Sequence, residues 1–250
     1  MAQVRPFQRR VAQAIAKRVP VKPVRSKLTR AIASLSFDDV PRSATLAGAQ
    51  AMEAAGLRGT YYVCGSHTGA RFEGLEQHER ADLRRLREAG HEIGCHTFAH
   101  QDATLVGEAD RQADHDANRA FAADTLDGEA PATFAYPYGS TSIRSKLFYS
   151  KRFLACRGVL AGLNAGVIDF AELRAVGLES RGFDPARMAD LIAQAREKAA
   201  WLVFFTHDVS PDPSPFGCRR EELETVLGAL ADARVEVAPV RDAAMRVLEG

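Results

Sequence analysis

Apolar and polar positions alternate in blocks along this chain, and four apolar runs end in residues that carry chemistry. Residues 31–37 lead into Asp38-Asp39, 92–95 into His96, 133–136 into Pro137-Tyr138-Gly139, and 201–206 into His207-Asp208. Short apolar runs closed by polar or turn residues predict buried strands. Further runs at 59–64 and 235–238, and the stretch Phe-Leu-Ala-Cys-Arg ending at Arg157, extend the set to seven.

Between them the period changes to that of a helix. Residues 43–55 form a helical stretch ended by Gly56, Leu75, Leu83 and Leu86 mark a polar helix ending at Gly90, and 108–126 read as a long helix. Asp184-Pro185 opens another, with aspartate capping free amides and proline suiting the first turn. Its Met188, Leu191, Ile192 and Ala195 recur at helical spacing, as do Leu223, Val226, Leu227 and Leu230 in a last helix over 219–233. Strands alternating with helices predict an α/β protein built on a parallel sheet. The pattern leaves both a closed barrel and an open sheet.

Composition adds few constraints. At 250 residues, 46% hydrophobic and 26% charged, the chain suits one sizeable globular domain. The net charge of +1 hides an asymmetry. Nine Lys and Arg and no acid fall in residues 1–37, leaving the remainder at −8, with 24 bases against 32 acids. No uninterrupted apolar stretch in that front fits a secretory signal, so action in the cytoplasm is expected. Phe7, Val11, Ala14 and Ile15 fall on one helical face with Arg10, Lys17 and Arg18 around it. Two readings follow: a helix packed on the barrel or on a partner subunit, or a peripheral contact with an anionic membrane at its inner face. The boundary expected is 1–30 for this basic helical extension and 31–250 for the barrel domain. Nothing points to nucleic acid. The four cysteines, Cys64, Cys95, Cys156 and Cys218, are scattered without a Cys-x-x-Cys pair and read as reduced, packed thiols. His67, in a Gly-containing loop, reads as solvated. His78, His91 and His115 receive no role.

The chemistry lies at the strand ends. Zinc takes imidazole nitrogen and carboxylate oxygen, and catalytic sites use three protein ligands with a position left open. Asp39, His96 and His100 make three, the i, i+4 spacing of the histidines predicting that they share a face. Asp38 is then free to take a proton as a base. Capping by Asp38 and Asp39 is the plainer alternative. His207 ends a very apolar strand and suits a general acid.

The motifs and their order resemble the polysaccharide deacetylases, the NodB homology domain of carbohydrate esterase family 4, over roughly residues 31–240. The family's Thr-Phe-Asp-Asp-Gly stands here as Ser36-Phe37-Asp38-Asp39-Val40, its His-Ser/Thr-x-x-His as His96-Thr97-Phe98-Ala99-His100, its Arg-x-Pro-Tyr/Phe-Gly as Ala135-Tyr136-Pro137-Tyr138-Gly139, and its Leu-x-His as Phe205-Thr206-His207. The resemblance implies a distorted (β/α) barrel with about seven parallel strands. It implies a divalent metal, zinc with cobalt as the alternative, on Asp39, His96 and His100, with Asp38 as base and His207 as acid. The turn Pro137-Tyr138-Gly139 would meet substrate and oxyanion, and the substrate would be an N-acetylated oligo- or polysaccharide. Alternatives are a metal-independent cyclic amide hydrolase on the same fold and a catalytically weak carbohydrate-binding protein. Ala135 departs from the family, whose arginine there steers the base. Arg157 is the expected replacement, because a guanidinium can hold a carboxylate through two hydrogen bonds. No good fourth motif exists; Arg181-Gly-Phe-Asp184 lies in its region.

Overall fold

The computed structural model describes residues 12–250. Eight strands form one all-parallel sheet: β1 (Ile32–Asp38), β2 (Thr60–Val63), β3 (Glu92–Cys95), β4 (Thr133–Ala135), β5 (Ala155–Arg157), β6 (Val176–Gly177), β7 (Trp201–Thr206) and β8 (Glu236–Val237). Seven run in the order β6-β7-β1-β2-β3-β4-β5, and β8 pairs with the start of β1. The sheet curls until its ends approach. Leu173 bridges Arg157 on β5, and a few residues later β6 pairs with β7, so one segment spans the gap. The expected distorted barrel with about seven parallel strands is the fold found.

Parallel strands covered on both faces are buried throughout, as every residue of β1 and β7 is. Successive side chains on a strand point to opposite faces. Ala33, Leu35 and Phe37 face the helices with Met52, Val226 and Leu230, whereas Ile32 shares the barrel interior with Trp201, Val203 and Phe205. The same parity sends Ser34, Ser36 and Asp38 inward. Ser34 and Ser36 are satisfied there, donating to the carbonyls of Ala238 at 2.7 Å and Phe204 at 3.0 Å. Asp38 comes at the mouth.

The helices are α1 (Ala49–Ala54), continuing a wider turn at Ala44–Gly48, α2 (Arg80–Glu88), α3 (Glu108–Thr125), α4 (Ile143–Ser150), α5 (Pro185–Glu197), α6 (Arg220–Asp232) and α7 (Val240–Glu249). Two differ from the sequence reading. Leu75 belongs to a hairpin, Arg71–Phe72 with Leu75–Glu76, because Glu73 and Gly74 both take positive φ and close a two-residue turn; α2 starts only at Arg80, where Asp82 accepts from the Glu79 N–H at 2.9 Å. The chain also continues past residue 233 into α7, whose Val240, Ala243, Ala244 and Val247 join the interior cluster and cover the barrel end opposite the strand C-termini. That face is too short and alanine-rich to stand out as a pattern.

Residues 12–16 are helical, and Pro23–Arg25 pairs antiparallel with Val167–Asp169. Ala16 is buried, while Ile15 is 56% exposed and Ala14 is exposed too. Phe7 and Val11, expected on the same face, lie outside the described residues. Lys146 fastens this segment. Its ammonium, 1% exposed, donates to the carbonyls of Ala16 and Val19 and pairs with Asp169 at 2.7 Å and Glu172 at 3.2 Å.

Candidate active site

Parallel strands in register deliver their C-terminal ends to one rim. Asp38 ends β1, Arg157 ends β5, and Cys64, His96, Tyr136 and His207 each follow a strand. Of these, Asp38, His96, Tyr136 and His207 line a cleft of about 360 Å³ together with Asp39, His100, Tyr138 and Gly139, with Glu73 and Glu179 at its edge and Phe205, Phe216 and Val159 as apolar walls.

The adjacent aspartates separate because the chain turns sharply after β1. Asp39 and Val40 have φ of 58° and 59°. For a β-branched residue this is an outlier costing on the order of 1–3 kcal/mol. Val40 stands where the resembling motif has glycine, the residue that adopts such a backbone freely.

Asp39, His96 and His100 are buried and bring one donor atom each within 4.8 Å of the others. The histidine Nε2 atoms lie 3.6 Å and 3.3 Å from Asp39 Oδ1. These contacts are not ion pairs, since burial lowers both imidazoles far below their ordinary range, His96 to about 4 and His100 to about 2, and leaves them neutral at pH 7. His96 Nδ1 faces the Ala135 carbonyl at 2.9 Å. A carbonyl only accepts, so Nδ1 carries the proton and Nε2 presents its lone pair. His100 Nδ1 lies 3.1 Å from the Tyr138 hydroxyl, a group able to accept its proton. Asp39 is pushed up to about 8 by burial, with the neighbouring Asp38 charge adding to it. Two neutral imidazoles with their outer nitrogens occupied, converging on a carboxyl that can give up its proton, make a donor set that fits a divalent cation.

The shared face is real, but its origin is not helical. Thr97 and His100 take positive φ, and residues 96–100 form a loop. Asp114 on α3 holds it, accepting from the Phe98 N–H at 2.8 Å and the Ala99 N–H at 2.9 Å. No local signal marks Asp114, which lies on a polar helix of ordinary appearance.

Arg157 reaches Asp38. One nitrogen, Nη2, donates to both carboxylate oxygens, Nη1 donates to the Gly158 carbonyl at 3.2 Å, and Nε has no partner among the described residues. The grip therefore differs from the expected two-nitrogen fork. Burial pushes the Asp38 carboxyl up, yet Arg157, with His96 and His207 behind it, more than offsets this and holds it below the ordinary range. Ala135 and Arg157 are direct register partners on β4 and β5, so the cation sits one strand over from the family position.

Tyr138 and Gly139 have φ of 58° and 56°, a tight turn that leaves Tyr138 61% exposed at the cleft. A Cβ on Gly139 would fall 2.1 Å from a Val159 methyl. His207 Nδ1 lies 3.3 Å from the Phe216 carbonyl, which sets the ring; no acidic side chain among the described residues hydrogen-bonds to it. Asp208 accepts from the Ser214 N–H at 2.9 Å and ties down the following loop. Asp184 caps α5 through the Ala186 N–H at 3.0 Å and takes no part in the site.

His67 is 7% exposed, not solvated as expected: its ring stacks on Phe72 at 4.0 Å, with His100 5.7 Å away. The hairpin tip, invisible in the sequence pattern, carries Phe72 there. All four cysteines are free and buried, as expected. Cys64 differs from the others in lying beside Asp39.

A parallel α/β barrel with carboxylates and imidazoles gathered at its strand C-termini defines a barrel of the hydrolase kind. The chain belongs to the polysaccharide deacetylase family, whose model matches residues 25–153. It is 30% identical over 159 residues to a chitin deacetylase of Colletotrichum lindemuthianum, an alignment covering 61% of this chain and 56% of that protein. The chain thus spans little more than half the length of this curated relative. Among solved structures, the chitin deacetylase from that fungus superposes with a TM-score of 0.61 at 17% identity, covering 90% of each chain. A family 4 acetyl xylan esterase from Clostridium thermocellum, solved with a cobalt ion, superposes at 0.56 with 20% identity over 84% of this chain and 89% of its own. These likenesses establish the fold.

Proposed function

We propose that the chain is a metal-dependent N-deacetylase that hydrolyses the acetamide of N-acetylhexosamine units in an oligo- or polysaccharide. The observation that carries this reading is a buried carboxylate, Asp38, kept anionic by Arg157 on the same rim as the Asp39, His96 and His100 donor set. Those three would hold the ion, zinc first and cobalt as the alternative. When bound, a divalent ion polarises the amide carbonyl and makes water more acidic.

The chain's own groups do the rest. Asp38 takes the proton of the attacking water, and the Tyr138 N–H donates to the oxygen on which charge develops. His207, across the cleft, gives a proton to the departing amine. Without it the amide nitrogen is a poor leaving group and the addition reverses. Phe205, Phe216 and Val159 offer apolar surface to the acetyl methyl and a sugar face. The extension supports a site of action at an anionic membrane face, since Ile15 and Val19 are exposed beside Lys17 and Arg18. Sedimentation with anionic vesicles at low and high salt tests this.

Acetate release from N-acetylglucosamine oligomers, with metal content measured alongside, tests the main reading. Asp38→Asn keeps its metal and loses turnover by roughly 10²–10⁴-fold, whereas Asp39→Asn loses both. Full activity in Asp38→Asn sinks the assignment of the base. Full activity after exhaustive chelation would instead favour the metal-independent alternative.

A further inference from the structure

Behind Asp39 lies a second group of donors that the proposed hydrolysis does not use. Cys64 follows β2, and His67 ends the single 3₁₀ turn Gly65–His67. Three residues per turn bring positions i and i+3 to one side, so Cys64 and His67 project together. With Asp39 they place one donor atom each within 4.8 Å of the others, and Cys64 Sγ lies 3.9 Å from Asp39 Oδ1. Cys64 is wholly buried and His67 more than nine-tenths so, and His67 Nδ1 is buried with no hydrogen-bond partner among the described residues. A nitrogen in that position ordinarily costs stability unless something satisfies it.

The turn is braced from outside. Asn118 accepts from the Gly65 N–H at 3.0 Å, the Phe98 carbonyl accepts from Ser66, and the Cys64 carbonyl from His67. Phe72 stacks on the His67 ring. The two side chains therefore face Asp39 from a fixed backbone, as a ligand set needs.

We propose that Asp39, Cys64 and His67 form a second cation site for a thiophilic divalent ion, adjoining the Asp39, His96 and His100 set and sharing its carboxylate. His96, His100 and Cys64 all approach the same oxygen, Asp39 Oδ1, and a carboxylate shared in this way can bridge ions about 3.5–4 Å apart, as in two-metal sites. A sulfur ligand with imidazole and carboxylate selects zinc, cobalt or cadmium over magnesium and calcium. On binding, the Cys64 thiol gives its proton to solvent and exchanges its 2.9 Å hydrogen bond to the His96 carbonyl for a metal–sulfur bond.

Cobalt alone is the probe, because thiolate coordination adds a near-ultraviolet charge-transfer band that nitrogen and oxygen ligands do not. Equilibrium dialysis of the full chain against cobalt, read with its absorption spectrum, is expected to give about two bound equivalents and the band. Cys64→Ser and His67→Ala each hold about one equivalent, Cys64→Ser without the band; His96→Ala also holds about one but retains it. A wild-type protein that saturates at one equivalent overturns the proposal, with or without the band. So does loss of the band in His96→Ala, which would make Cys64 a ligand of the first ion. Acetate release is read separately, so failure of the deacetylase reading and failure of this one remain distinct.

Discussion

Arg157 holds the Asp38 carboxylate from β5, and its register partner on β4 is Ala135, the position at which the family carries its own arginine. The cation has moved one strand along the rim. A guanidinium extends far enough that either of two paired positions can serve the same carboxylate, provided both strands end at the same level.

Removing that cation should alter the pH profile as well as the rate. The Asp38 carboxyl is depressed in the folded state, so its ionisation contributes stability above the unfolded value of about 3.9, lost as pH falls through the lower folded value. Arg157→Ala leaves burial to dominate, and the acid limb of kcat/KM is expected to move up in pH with roughly a 10²-fold loss at neutrality. Arg157→Lys should restore part of both. An unshifted limb in Arg157→Ala would show that the arginine serves only packing.

Metal uptake should release a proton near neutral pH. In the metal-free protein Asp39 titrates near 8 while His96 and His100 are already neutral at 7, so Asp39 is the group that must give one up. Calorimetry in buffers of different ionisation heat, performed on Cys64→Ser to exclude the thiol, should report about one proton per ion at pH 7 and almost none above pH 9. The raised value also means that the folded metal-free chain binds more protons than the unfolded one. That contribution falls as pH rises, but below about 6.5 it is opposed by His96 and His100, whose lowered values make the unfolded chain the better proton binder; a net fall in stability is therefore expected only between about 6.5 and 8, a slope that saturating metal removes.

Gly139→Ala should damage the turn that carries Tyr138, whose N–H is the proposed oxyanion donor. A φ of 56° costs an alanine about 1–2 kcal/mol, and its Cβ would overlap a Val159 methyl. Lower stability and reduced turnover are expected, read by urea midpoint and acetate release. Gly139→Ala with Val159→Ala relieves the overlap but not the backbone strain, so recovery should be partial.

Lys146→Met should loosen residues 12–19 from the barrel. The substitution leaves buried Glu172 without its cation and two carbonyls without a donor, and breaking such a pair costs about 3–5 kcal/mol. A lower urea midpoint together with faster proteolysis before residue 20 is the expected result.

Much of the fold was legible in the sequence because its information is local. An apolar run of strand length, closed by polar residues, marks both a buried parallel strand and the rim where its last side chains emerge. Thus Asp38, Asp39, His96, His100 and His207 were found as candidates without knowing which strands were neighbours. Even there the reason was incomplete, since His96 and His100 meet through a left-handed loop held by Asp114 rather than through a helix face.

Only the tertiary structure decided what depends on register and close approach. Arg157 meets Asp38 across 119 residues of chain because the curled sheet brings the end of β5 across the barrel mouth from the end of β1. Cys64 and His67 become neighbours of Asp39 because a short turn after β2 faces the end of β1, and an inconspicuous hairpin buries the His67 ring. Periodicity determines which face a side chain takes. It carries no record of which distant side chain will occupy the space opposite, and that is set by how the sheet closes.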